Sequence, residues 1–165
     1  MSQGSDPGAG AGVAVGDPAP TFRTRTQHGE TVTLPELVAG GEGPLLLVFY
    51  PWAFSAICTG ELAALRDGHA ELARAGVRLL AVSCDAMFTL RAFAEAEDLP
   101  FDLLTDHWPH GEIARAYGVF DDQAGCALRG SFLIDRSGTV TWRVRNGIGE
   151  ARDIVEHVRT ALQPS

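Results

Sequence analysis

Leu45-Leu46-Leu47-Val48-Phe49-Tyr50-Pro51-Trp52-Ala53-Phe54-Ser55-Ala56-Ile57-Cys58-Thr59-Gly60-Glu61-Leu62 is the stretch from which the rest of the chain can be read. Its first six residues are apolar without alternation and lie between Pro44 and Pro51. That is the pattern of a central strand buried on both faces. From Ser55 the period becomes helical, with Leu62, Leu65, His69 and Leu72 on one stripe and Gly76 as the stop. A cysteine therefore falls in the first turn of a predicted helix over 55–75, just past the end of a buried strand.

Working outward, residues 77–83 form a second buried strand, and Asp85 is placed to cap a helix running to about residue 98. Leu99-Pro100 breaks that helix, and 101–104 is a short strand. Trp108-Pro109-His110-Gly111 opens a short helix through Tyr117. Residues 130–135 and 140–144 are strands around an Asp135-Arg136-Ser137-Gly138 turn. A last helix carries Ile154, Val155, Val158 and Leu162 on one face. Upstream, 22–25 and 31–34 flank a His28-Gly29 turn as a short hairpin, followed by a helical turn at Leu37 and Val38. Strands alternating with amphipathic helices, closed by a hairpin, predict an α/β protein. Its central mixed β-sheet is flanked by helices and carries an N-terminal β-hairpin extension. Residues 1–12 are Gly/Ala-rich and are expected to be a disordered tail; 13–165 are expected to form a single domain.

The formal net charge of −8 argues against nucleic acid and anionic membrane as partners. No apolar run is long enough to span a bilayer, and residues 1–16 lack the basic start and apolar core of a signal peptide. The cysteines are Cys58, Cys84 and Cys126, an odd and sparse set that fits a reducing compartment, the cytoplasm, better than a disulfide framework. No two are close in sequence and no histidine pairs with one at ligand spacing, so no metal is expected.

Only a thiolate attacks or is readily oxidised. The unpaired N–H groups and the macrodipole at a helix start favour an anion at Cys58. Ser55, three residues earlier, lies one helical turn from the sulfur, where its hydroxyl can donate to the sulfur or to a bound oxygen. Pro51 fixes the turn and walls one side, while Trp52 and Phe54 make the mouth apolar. A cation must come from elsewhere in the chain. The competing reading is a buried structural cysteine; that reading leaves the proline, the hydroxyl and the strand-to-helix junction unexplained.

Pro51-x-x-x-Ser55-x-x-Cys58 resembles the active-site motif of the peroxiredoxins. Val15-Gly16-Asp17-Pro18-Ala19-Pro20-Thr21-Phe22 looks like that family's opening segment, and Arg129-Gly130-Ser131-Phe132-Leu133-Ile134-Asp135 like the segment bearing its arginine. Phe54 to Leu62, Trp108-Pro109-His110-Gly111 and Ala116-Tyr117-Gly118-Val119-Phe120 are similar to the one-cysteine, alkyl hydroperoxide reductase E type. The resemblance implies a thioredoxin-like fold and a thiol-dependent peroxidase. It implies Cys58 as the peroxidatic cysteine, Ser55 as the peroxide-binding hydroxyl, Pro51 as the shielding proline and Arg129 as the cation beside the thiolate. Trp52, Phe54 and Ile57 would contact substrate. Glu61 either orients the arginine or is a solvated first-turn acid.

The implied substrates are hydrogen peroxide, organic hydroperoxides and peroxynitrite, with no cofactor. A Cys58 sulfenic acid would be reduced by an external thiol, either a mycothiol/mycoredoxin-like or a thioredoxin-like donor. Cys84, at the end of a predicted strand, and Cys126, in a predicted loop just before Arg129, are read as non-catalytic, with a resolving disulfide from one of them to Cys58 as the alternative. The resemblance also implies a homodimer, for whose contact Trp108 and Phe120 are suited where exposed; they can equally be core residues. A Cys-x-x-Cys oxidoreductase is excluded by Thr59-Gly60-Glu61 after the cysteine. A peroxide sensor or chaperone-like redox protein using the same cysteine stays open.

Overall fold

The computed structural model describes residues 12–163, so the tail expected over 1–12 lies, apart from Gly12, outside the described residues. β1 (Arg23–Arg25) and β2 (Thr31–Thr33) form the antiparallel N-terminal hairpin, followed by α1 (Leu34–Ala39), with Thr33 as its N-cap. Then come β3 (Leu45–Phe49), α2 (Ala56–Arg74), β4 (Arg78–Ser83), α3 (Met87–Ala96), β5 (Asp102–Thr105) and α4 (Glu112–Ala116). β6 (Phe120–Asp121) and β7 (Cys126–Ala127) pair in a small ribbon ahead of β8 (Arg129–Ile134), β9 (Val140–Asn146) and α5 (Ile154–Leu162).

The main sheet has the order β5-β4-β3-β8-β9. β3, β4 and β5 run parallel, whereas β8 is antiparallel to β3 and β9 to β8. β3 is central and wholly buried, because its odd and even side chains serve two different cores. Leu45, Leu47 and Phe49 join Leu80, Val82, Phe132 and Ile134 with Leu34 and Leu37 of α1 and Ile113 of α4. Leu46, Val48 and Tyr50 join Leu62, Leu65 and Leu72 of α2, Phe93 of α3 and Ile154 of α5. Cys58 belongs to the second core. The parallel β3–β4 step places α2 across one face, so its first turn sits over the C-terminal end of β3.

Three local expectations are corrected. Asp85 does not cap α3, whose N-cap is Ala86. Its carboxylate is taken by the Ala53 N–H at 2.8 Å and the Ser83 hydroxyl at 2.7 Å, so it braces the loop ahead of α2. Cys126 lies in a strand, not a loop, because residues 120–127 turn back on themselves around Gly125, whose φ is +72°. Val155 faces solvent; the inward face of α5 is Ile154, His157 and Ala161. Phe120 is half-buried, its ring beneath the Arg115 guanidinium at 4.1 Å and edge-on to His110, because the β6–β7 ribbon folds it back over α4.

One glycine is dictated by the approach of β6's neighbour to β8. A Cβ on Gly130 would stand 2.7 Å from Val119 Cγ1. The two residues flanking Gly130 are Arg129 and Ser131.

Candidate active site

Ser55 is the N-cap of α2 and Cys58 is the third residue of the helix. The N–H groups of this first turn have no carbonyl partner within the helix, and they point toward the end of the helix where the sulfur lies. The loop leading in is strained: Phe54 has φ +70°, a left-handed value that bulky residues rarely adopt. Its ring leans on Phe93 with centroids 5.0 Å apart, and Asp85 holds the adjacent Ala53 N–H.

Cys58 is buried, and Arg129 at the start of β8 points a guanidinium at it. Nη1 donates to the sulfur at 3.3 Å and to Glu61 Oε1 at 2.6 Å. Arg129 Nε donates to the Ile148 carbonyl at 2.7 Å, which fixes the plane of the group. The structure thus joins two residues 71 positions apart.

Glu61 is 4% exposed, so it is not a solvated acid. Arg152 surrounds it. Its backbone N–H donates to Oε2 at 2.7 Å, Nε to Oε2 at 3.1 Å and Nη2 to Oε1 at 2.8 Å. Burial alone would raise the Glu61 carboxyl. The Arg152 hydrogen bonds and charge, with Arg129 behind them, outweigh it and hold Glu61 below the ordinary carboxylate range. Arg152 is itself buried, and Nη1 reaches the Gly130 carbonyl at 2.9 Å and the Ser131 hydroxyl at 3.1 Å. Sequence reasoning missed Arg152. It lies beside Asp153 and four residues before Glu156, where it reads as an ordinary surface arginine, so no local signal marks it.

The remaining expected residues are placed as follows. Pro51 is buried at the end of β3. Ser55 Oγ is buried and has no hydrogen-bond partner, and it does not cap its own helix. Trp52, Phe54 and Ile57 are 39%, 53% and 40% exposed around the start of α2. Cys84 and Cys126 are free and buried. Burial pushes the Cys84 thiol up to about 12 and the Cys126 thiol up to about 11. Both are therefore protonated and poorly nucleophilic at neutral pH.

A buried cysteine at a helix start with a guanidinium on its sulfur is chemically suited to attack an electrophilic oxygen. The comparisons agree. A family described as AhpC/TSA matches residues 15–143, and the chain belongs to that family, the thiol-dependent peroxidases known as peroxiredoxins. Within it, the chain is similar to alkyl hydroperoxide reductase E of Mycobacterium tuberculosis. The two are 43% identical over 139 residues, covering 84% of this chain and 90% of the relative. The chloroplastic 2-Cys peroxiredoxin BAS1 of Hordeum vulgare is 32% identical, over 90% of this chain and 75% of its own. Among solved structures, the reduced 2-Cys peroxiredoxin of Plasmodium vivax superposes with a TM-score of 0.79 at 27% identity, covering 90% of this chain and 80% of that one. The mixed sheet with helices on both faces is accordingly thioredoxin-like. No helix among the described residues is long and apolar enough to cross a membrane.

His157 supplies a pH signature. Burial, then the Arg152 charge, push it down from 6.5 to about 4, against the opposing pull of Glu61 and Asp153. Between those values the unfolded chain binds more protons than the folded one, so stability falls as pH drops from about 6.5 to about 4. Asp106 acts in the opposite sense, because burial raises it from 3.8 to about 6 despite the Ile113 and Ala114 N–H groups on its carboxylate. Comparing wild type with His157→Asn isolates the histidine. In urea unfolding, the stability of wild type relative to the variant should be greatest near pH 7 and shrink steadily toward pH 4.5. A difference that does not change with pH would contradict the assignment.

Proposed function

We propose that this peroxiredoxin reduces hydrogen peroxide and organic hydroperoxides, with peroxynitrite as a further substrate, using Cys58 as the nucleophile. The observation that carries the reading is the Arg129 Nη1 contact of 3.3 Å on Cys58 Sγ, held by the same nitrogen's 2.6 Å bond to Glu61. Two buried guanidiniums and one buried carboxylate sum to one positive charge. A sulfur anion at Cys58 brings the cluster to neutrality.

The sulfur attacks the terminal peroxide oxygen and the O–O bond breaks. Cys58 is oxidised to a sulfenic acid, and the other oxygen leaves as water or alcohol after taking up a proton. Arg129 and the first-turn N–H groups of α2 stabilise charge on the departing oxygen. Ser55 Oγ, buried without a partner, is the hydroxyl that a peroxide oxygen would satisfy. Pro51 closes the back of the site. Trp52, Phe54 and Ile57 give the mouth an apolar rim that admits an alkyl group.

The sulfenic acid is reduced by an external thiol, of the mycothiol/mycoredoxin or thioredoxin kind, in the cytoplasm. Neither Cys84 nor Cys126 resolves it. Their raised thiols and burial support that assignment. A homodimer formed through the exposed Trp108 and its surroundings completes the assembly. Trp108 is 84% exposed, an unusual state for so large an apolar ring.

Three measurements test this reading. In stopped-flow oxidation with hydrogen peroxide and an alkyl hydroperoxide, Cys58→Ser should be inert. Arg129→Lys should be slower by about 10²-fold, the usual loss when one donor to the transition state is removed. A wild-type rate no greater than that of free cysteine would end the peroxidase proposal for this site. After one equivalent of peroxide, peptide mapping should find oxidation or a mixed adduct at Cys58 with Cys84 and Cys126 both reduced. A Cys58–Cys84 or Cys58–Cys126 linkage would reverse the resolving assignment. Light scattering should give twice the chain mass, falling to the single-chain mass for Trp108→Glu; a monomeric wild type would contradict the dimer.

A further inference from the structure

Behind the two arginines lies a polar layer that touches neither the sulfur nor the peroxide. Ser131 follows Gly130 in β8 and is fully buried, and its Oγ lies 3.1 Å from Arg152 Nη1. On its other side, Oγ lies 3.1 Å from Nδ1 of His157, a residue that is 2% exposed on the inner face of α5. A guanidinium only donates, so Ser131 Oγ accepts from Arg152. In the arrangement that gives the buried Ser131 hydrogen a partner, the Ser131 O–H then donates to His157 Nδ1. That requires a neutral imidazole with its hydrogen on Nε2.

The surroundings favour this form. His157 faces Ser131 from β8, the edge of the Trp142 ring from β9 at 5.2 Å, Glu61 from α2 and the Arg152 charge from the segment ahead of α5. Asp153, on its own element, is occupied with the Glu156 N–H at the start of α5. Burial and Arg152 both oppose protonation.

We propose that His157, acting through Ser131, is a positioning residue that orients Arg152 and thereby sets the Glu61–Arg129 pair on the Cys58 sulfur. The inference rests on the reading of Cys58 as the peroxide nucleophile. Arg152 has two ends. Nε and Nη2 hold Glu61, while Nη1 is tied to the Gly130 carbonyl and to Ser131 Oγ. Without an acceptor at His157, the Ser131 hydrogen turns toward another partner and competes with Arg152 for the Gly130 carbonyl or abandons its own lone-pair contact. The guanidinium then has a second resting position, and Glu61 moves with it. Because Glu61 Oε1 is shared by Arg152 and Arg129, the displacement is passed to the nitrogen that touches the sulfur. His157 itself touches neither sulfur nor substrate. Its effect is on the geometry at the moment of attack, where small misplacements are costly in rate.

The test is the second-order rate constant for hydrogen peroxide with the full chain, read by quenched-flow mass spectrometry of Cys58. His157→Leu removes the acceptor and keeps apolar bulk; it should be slower by about tenfold or more. His157→Asn carries a carbonyl oxygen at the branch where Nδ1 sits, and it should restore the rate to within about threefold of wild type. Ser131→Ala should be as slow as His157→Leu, and the double variant no slower than either single one, since both act on one chain of contacts.

A wild-type rate for His157→Leu or for Ser131→Ala overturns the proposal. So does a His157→Asn chain that is folded by circular dichroism but as slow as His157→Leu, because the ring would then be filling space only. If His157→Leu does not fold, Ser131→Ala and His157→Asn decide the question by the same criteria. Cys58→Ser separates the two levels. If it reacts with peroxide, the nucleophile assignment falls and this inference with it; if it is inert while Ser131→Ala is unimpaired, only the positioning role falls.

Discussion

Two guanidiniums and a carboxylate are taken out of water together beside the Cys58 sulfur, and the geometry of the candidate site depends on that cluster being satisfied. Buried ion pairs are tolerable only when nearly every hydrogen and lone pair is matched, and removing one member typically costs about 3–5 kcal/mol. Here Glu61 receives a backbone N–H and three guanidinium N–H groups. Arg129 is completed by the Ile148 carbonyl and the Cys58 sulfur, and Arg152 by Gly130 and Ser131. The cluster retains one uncompensated positive charge, and the sulfur is the group beside it able to become an anion. The packing of the site and the reactivity proposed for Cys58 therefore rest on the same cluster of charges.

The sheet makes that cluster possible. β8 lies antiparallel to the central β3, so its first residue, Arg129, arrives beside the C-terminal end of β3, where the chain crosses into α2. Glu61 and Cys58 are three residues apart in α2 and face the same way. Arg152 enters from the segment joining β9 to α5. Thus three separate returns of the chain meet at one helix start. The loop between β3 and α2 is set by the left-handed Phe54 and the Asp85 carboxylate on Ala53, and it leaves the Ser55 hydroxyl without a partner. A hydroxyl that could have capped its helix and does not is a small cost retained beside the site.

The other two thiols show how environment separates residues of one type. Cys84 and Cys126 are as buried as Cys58, but burial and nearby acids push them toward the neutral thiol. Only Cys58 has both a helix start beneath it and a guanidinium against it. His157 follows the same logic on the opposite side of the cluster. A charged imidazole there would add a second cation beside Arg152, so the fold keeps it neutral and leaves it an acceptor.

Much of this was legible without coordinates, because it is local. The apolar run 45–50 specifies a strand buried on both faces, and the period change at Ser55 specifies the helix. The spacing of Pro51, Ser55 and Cys58 specifies half of a site, since residues within one turn are neighbours by helix geometry alone. Arg129 was found only through likeness to a family; nothing in its local pattern distinguishes it from a surface arginine. What only the tertiary structure decided are the contacts that span the sheet. It took Glu61 from a plausible solvated acid to a buried counter-ion, moved Asp85 from a helix cap to a loop brace, and placed Cys126 in a strand. It also supplied Arg152, Ser131 and His157. The physical reason is that burial and long-range ion pairing depend on which elements the sheet order brings together, and a one-dimensional pattern carries no record of that distance.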